Sequence, residues 1–162
     1  MARPLPISSN PSFVPATSQL ANVNDVFNAI LVRGDATGDV VFYGRGAGKL
    51  PTASAIVADI IDCCRHTQRK RMFGWKPSAE NIVVDYMDQN TSLYVRARAE
   101  HPADAFAAVR AAFGDVRVLM RKDAPADEIA FVTNADTERA LRTKLETLHC
   151  LKPLSVLHIA DC

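Results

Sequence analysis

The stretch from Asp39 to Arg65, DVVFYGRGAGKLPTASAIVADIIDCCR, constrains the fold more than any other part of the chain. It reads as a strand, a glycine-rich turn and a helix. Val40 to Tyr43 is rich in β-branched and aromatic residues, which suit a pleated strand. Gly44, Gly46 and Gly48 permit positive φ and close backbone approach in the turn. Pro51 fits the first helical position, where the N–H is unpaired in any case. Ala53, Ile56, Val57, Ile60, Ile61 and Cys64 then recur at helical spacing and predict one apolar stripe, packed on the sheet. Full burial of each Ile or Val there contributes about 1.5–3 kcal/mol. Such a helix start offers N–H groups and the positive end of its dipole to an anion. A strand-to-helix turn also needs glycine for steric reasons alone, so both readings stand. The P-loop pattern fails twice, because Tyr43 and Leu50 occupy the places of its first glycine and its Ser/Thr. The alternating glycines also lack the gap of G-x-G-x-x-G.

The chain has 162 residues, enough for one domain or two small ones. Its net charge of +1 gives no ground for nucleic-acid or membrane-surface binding. No apolar run reaches the roughly 20 residues of a membrane helix. The opening MARPLPISSNPSF lacks the apolar core of a signal peptide, so a cytoplasmic location is expected. Cys63, Cys64, Cys150 and Cys162 form no CxxC pair and have no His at zinc-finger spacing. They read as free thiols in a reducing compartment, with Cys64 in the core.

The first 15 residues carry four of the nine prolines, which makes them extended and turn-rich, with a short edge strand at Ser12 to Val14. Phe27 to Arg33 is a strand apolar on both faces and needs cover on both. The turn from Gly34 to Asp39 returns it to Val40 as a β-hairpin. This first unit, residues 1–66, is a partial sheet with one helix and one bare face. It must lie against further chain, a second domain or another copy. Residues 67–90 form a linker with a basic cluster at Arg65, Arg69, Lys70 and Arg71, interleaved with Met72, Phe73 and Trp75. The cluster reads as a solvated linker face rather than a phosphate patch.

Residues 91–162 form a second unit. Ser92 to Ala99 alternates as a half-buried strand, with Leu93 read as out of step. Pro102 opens a helix that Gly114 ends. Val116 to Arg121 and Glu128 to Thr133 are strands. Asp136 is expected to cap a helix whose face is Leu141, Leu145 and Leu148, and Leu154 to Ile159 closes the unit. The order β-α-β-β-α-β is ferredoxin-like, so the fold class is α+β. His101, His149 and His158 read as surface or core histidines, Asp104 as a helix-end charge and Glu128 as part of a solvated face. No residue is assigned a catalytic or metal-binding role.

The run VNDVFNAILVRGDATGDVVFYGRGAGKLPTASAIVADIID, Val23 to Asp62, resembles the end of the catalytic region of homoserine dehydrogenases. It combines in order the FNA strand, the GDA-x-G turn, the FYG-x-GAG loop and the PTASA-x-x-x-D helix start. The second unit looks like the ACT domain many bacterial members carry. The resemblance implies an NAD(P)-dependent oxidoreductase interconverting aspartate 4-semialdehyde and homoserine, with NADP or NAD as cofactor, on the way to threonine, methionine and isoleucine. It places Gly48, and with it Gly46, against the nicotinamide cofactor, and it makes the sheet a homodimer surface. The Rossmann half and the catalytic lysine of the family have no counterpart here, so the chain is expected to be inactive alone and to need that N-terminal half as partner. Lys49 does not match the lysine's motif. Ligand-binding ACT domains carry Asp-x-Pro-Gly where this chain has Glu100-His101-Pro102-Ala103, which bears on whether an amino-acid effector binds. A stand-alone ACT-type sensing or oligomerisation module without activity is the alternative.

Overall fold

A computed structural model describes residues 5–67 and 81–161. In chain order its elements are β1 (Leu5–Pro6), β2 (Ser12–Phe13), β3 (Phe27–Gly34), β4 (Gly38–Arg45), α1 (Lys49–Arg65), β5 (Val83–Val84), β6 (Asn90–Arg98), α2 (Pro102–Phe113), β7 (Arg117–Leu119), β8 (Glu128–Val132), β9 (Asp136–Thr137), α3 (Glu138–Thr147) and β10 (Lys152–Ile159). Short 3-10 turns lie at Gln19–Asn22 and Tyr86–Asp88. Contacts divide the chain into two compact units, Pro15–Pro77 and Met1–Val14 with Ser78–Cys162. The cluster at Arg69, Lys70 and Arg71, the side chains of Met72, Phe73 and Trp75, and Cys162 fall outside the described residues.

In the unit Pro15–Pro77, β3 and β4 pair antiparallel from Phe27↔Arg45 to Gly34↔Gly38. Gly38 has φ +70°, the left-handed conformation that closes a three-residue hairpin loop. Arg33 and Asp39 bridge the strands at this end, Nε to Oδ1 at 2.8 Å. At the other end the rings of Phe27 and Tyr43 stack 4.9 Å apart, with the Arg45 guanidinium over Phe27. The helix α1 begins two residues earlier than Pro51 predicts, which puts Pro51 in the third position. The cost is still nil, because no N–H of the first turn has an intrahelical partner. The expected packing of its stripe does not occur. No residue of α1 is buried, and Ile56, Val57, Ile60 and Ile61 are all exposed. Cys64, expected in the core, is exposed with Cys63 and Cys150. A helix gains burial only from a surface to lie on, and two strands supply too little.

The second unit carries a sheet in the order β2-β10-β6-β8-β7, with β9 pairing β6. Its pairs are antiparallel except β2 on β10. The alternation of β6 settles its register: Leu93, Val95, Ala97 and Ala99 are all buried, so Leu93 is in step. They meet Ile129 and Phe131 of β8, Ala105, Val109 and Phe113 of α2, and Leu141 of α3 in one core. Gly114 ends α2 at φ +77°, its N–H donating to Arg110 O. Thr137, not Asp136, caps α3: its Oγ1 accepts from Ala140 N at 3.2 Å. Asp136 instead pairs in β9 and receives Lys144 Nζ at 2.8 Å. In β10 the register shifts between Pro153 and Ser155, because proline has no N–H for the ladder. The N-terminal segment joins this unit through two parallel pairings, Leu5↔Val83 and Ser12↔His158.

Candidate functional site

The glycine loop lies between β4 and α1. Gly46, Ala47 and Gly48 are exposed. Gly48 is the N-cap of α1 at φ +125°, ψ +149°, a backbone open in practice to glycine alone, and no side chain caps the helix. Gly46 is a glycine for another reason. A Cβ built on it would lie 1.5 Å from Asn28 Nδ2, while its N–H donates to Val26 O at 3.1 Å. Nothing lies within 4 Å of a Cβ on Gly44. The loop is therefore tied to the start of β3 at Gly46 and leads at Gly48 into a helix N-terminus with no side-chain cap, where the Pro51 ring lies 3.4 Å from the Cβ position of Gly48.

On one face of the hairpin Phe27, Ala29, Leu31 and Val41 are half-buried, while Tyr43 opposite Ala29 is exposed. On the opposite face, the cross-strand pairs Ile30–Phe42 and Val32–Val40 are exposed, Ile30 at 65% and Phe42 at 62%. These exposed apolar residues are contiguous across the two strands rather than scattered singly.

In the second unit Glu100 and His101 border a cavity of about 570 Å³ with Arg98, Asp127, His149 and Lys152, whereas Ala103 is not among its lining residues. Arg98 Nη1 donates to both Asp127 oxygens, at 2.9 and 2.7 Å, and holds that carboxyl below its ordinary range. Glu128 is not on a solvated face: its side chain is only 6% exposed. Arg121 donates to it through Nε at 2.8 Å and Nη2 at 3.1 Å, which lowers its pKa.

Sequence reasoning missed Glu138. Its side chain is 2% exposed, with Arg142 Nε on Oε1 and His158 Nε2 on Oε2 at 2.8 Å. The signal was present, because Glu138 continues the stripe of Leu141, Leu145 and Leu148 at helical spacing and so sits on the inner face. His158 is a nearly buried histidine with a partner. Among the described residues no group of three or more His, Cys, Asp or Glu is placed to hold a metal, and no helix is long and apolar enough to cross a membrane.

Residues 2–61 match the family described as homoserine dehydrogenase. The homoserine dehydrogenase of Neisseria gonorrhoeae is 32% identical over 170 residues, covering 93% of this chain and 39% of that protein. That of Synechocystis is 50% identical over 58 residues, covering 36% of this chain and 13% of that protein. The crystal structure of a homoserine dehydrogenase from Thiobacillus denitrificans superposes with a TM-score of 0.69 at 27% identity, over 94% of this chain and 38% of that one. The chain thus spans about two-fifths of the length of the curated relatives it matches over most of its residues.

Proposed function

Residues 2–61 belong to the homoserine dehydrogenase family, the whole chain is similar to a part of such enzymes, and on that premise we propose that it is the C-terminal part of one. In this reading it supplies the cofactor-contacting loop, a homodimer surface and an ACT-like ferredoxin module to an enzyme interconverting aspartate 4-semialdehyde and homoserine in the cytoplasm. NADP or NAD, when bound by the complete enzyme, supplies the hydride chemistry. The residues here fit a contact with it in one limited sense. Gly48 presents bare backbone at an uncapped helix start, which lets a polar ligand approach the chain. Gly46 would sit behind it as the anchor. The observation that carries the proposal is the open apolar surface of the same unit, on β3, β4 and α1. A unit that matches the family in sequence and buries nothing along a seventeen-residue helix fits a part completed by other chain.

The test is complementation. The chain is mixed with a separately produced Rossmann half of a relative, and homoserine oxidation is followed through the reduced cofactor. The chain alone gives no turnover, the mixture gives activity, and Gly48→Val raises the cofactor KM. Well-folded halves that associate yet are indifferent to Gly48→Val would remove the loop assignment.

A second reading, a stand-alone ACT-type module, draws on the fact that among the described residues the buried apolar cluster runs from Leu93 to Leu151, with Val156 packed against it. That unit has what it needs to fold by itself. Calorimetry with threonine, isoleucine, methionine and lysine decides it. Heat and a raised melting temperature support a sensor, whereas neither at millimolar ligand ends that idea, as Ala103 in the glycine's place already suggests.

A further inference from the structure

Independently of the enzyme reading, we propose that a polar cavity in the second unit is a binding site for a small neutral polyol, with His158 as its central acceptor. The cavity measures about 350 Å³ and is bordered by Ser8, Asn10, Gln89, Thr91, Glu138 and His158 among others. That volume lies at the lower end of small-molecule sites, roughly 300–1,000 Å³. It is also about ten times the share of one water molecule, about 30 Å³.

The wall selects the chemistry. Among the described residues no lysine or arginine borders the cavity, so none of them would hold a phosphate or a carboxylate there by charge. Glu138 is the one carboxylate of the described wall, and both its oxygens are taken, by Arg142 and His158. A divalent cation would therefore find no free anionic ligand. Hydroxyls and amides make up most of the remainder, which disfavours an apolar guest. What is left is a ligand that both donates and accepts hydrogen bonds without net charge.

Glu138 also fixes what His158 can do. An ionised carboxylate only accepts, so Nε2 is the nitrogen that carries the proton toward Oε2. In the neutral ring this leaves Nδ1 as a lone-pair acceptor, and among the described residues nothing is paired with it. The side chain is only 14% exposed, so a ligand hydroxyl is the natural donor to that atom. The backbone ties the walls of the site together: His158 pairs in register with Ser12, and Glu138 N donates to Gln89 O at 2.9 Å.

The experiment is a nuclear magnetic resonance titration of the full chain with meso-erythritol, with sodium acetate and ethylammonium chloride as charged controls. Expected are saturable shifts of the His158 ring and the Asn10 and Gln89 side-chain amides at millimolar polyol, absent with either control. His158→Phe removes the acceptor and should weaken binding about tenfold or more. Because that variant also strips a partner from Glu138, Gln89→Leu serves as the second. It alters only a wall side chain and should weaken binding in a chain whose spectrum is otherwise unchanged. Shifts that stay linear in polyol concentration, equal binding of the charged controls, or saturable binding indifferent to Gln89→Leu would each overturn the proposal.

Discussion

Replacing Gly46 by alanine separates a glycine needed for packing from one needed for its backbone. The added Cβ would fall 1.5 Å from Asn28 Nδ2, 2.5 Å from its Cγ and 3.2 Å from its Cβ. Either Asn28 leaves its rotamer, at about 0.5–1.5 kcal/mol, or the strands shift, at about 1–3 kcal/mol. Losing a glycine also narrows the unfolded ensemble, which returns about 0.4–1 kcal/mol. The net cost is about 0–2.5 kcal/mol, centred near 1 kcal/mol, localised where Gly46 N–H meets Val26 O. The assay is amide hydrogen exchange at Gly46 and along β3 and β4, which should quicken about fivefold. In an Asn28→Ala background the obstructing amide is gone and only the 3.2 Å approach of the two Cβ atoms remains, so most of the cost of Gly46→Ala should disappear. Gly48→Ala gives the contrast. Its strain comes from φ +125°, so Asn28→Ala should not rescue it. Equal exchange in Gly46→Ala and the parent chain, or failure of Asn28→Ala to rescue it, would refute the packing account.

Phe131→Ala, at a fully buried position against Phe113, should cost about 3–5 kcal/mol in urea unfolding, while Ile60→Ser on exposed α1 should stay within about 0.5 kcal/mol in the isolated chain. Thr137→Ala removes the cap from α3 and should cost about 0.5–2 kcal/mol, whereas Asp136→Asn, which leaves that cap in place, should leave the helix start intact by hydrogen exchange. Hydrogen bonds from Arg98, Arg121 and Lys144 lower the folded-state pKa of Asp127, Glu128 and Asp136 respectively. The stability they contribute is complete above the unfolded carboxylate values of about 4 and is lost as pH falls through the lower folded values, so acid titration of Arg121→Gln should show a shallower loss.

Local chemistry set much of this molecule from the sequence alone. Period-two alternation placed β6, the apolar repeat placed α2 and α3, and the glycines at 38, 48 and 114 marked three of the places that take positive φ, with Asp25 and Asp123 the others among the described residues. These are contests between near neighbours, and the chain resolves them within a few residues. The four linked motifs from Val23 to Asp62 also carried the resemblance, and they lie almost wholly within the residues 2–61 that match the family. Burial could not be read this way. Both α1 and α3 carry an apolar stripe in the sequence, yet the one on α1 is bare while that on α3 packs into the core, since amphipathicity states what a helix can cover and not whether a surface awaits it. Glu138 and His158 lie twenty residues apart and meet only because β10 returns beside β6 under the start of α3. A carboxylate on an apolar face is costly until a distant histidine and a neighbouring arginine reach it, and that pairing is a property of the assembled unit.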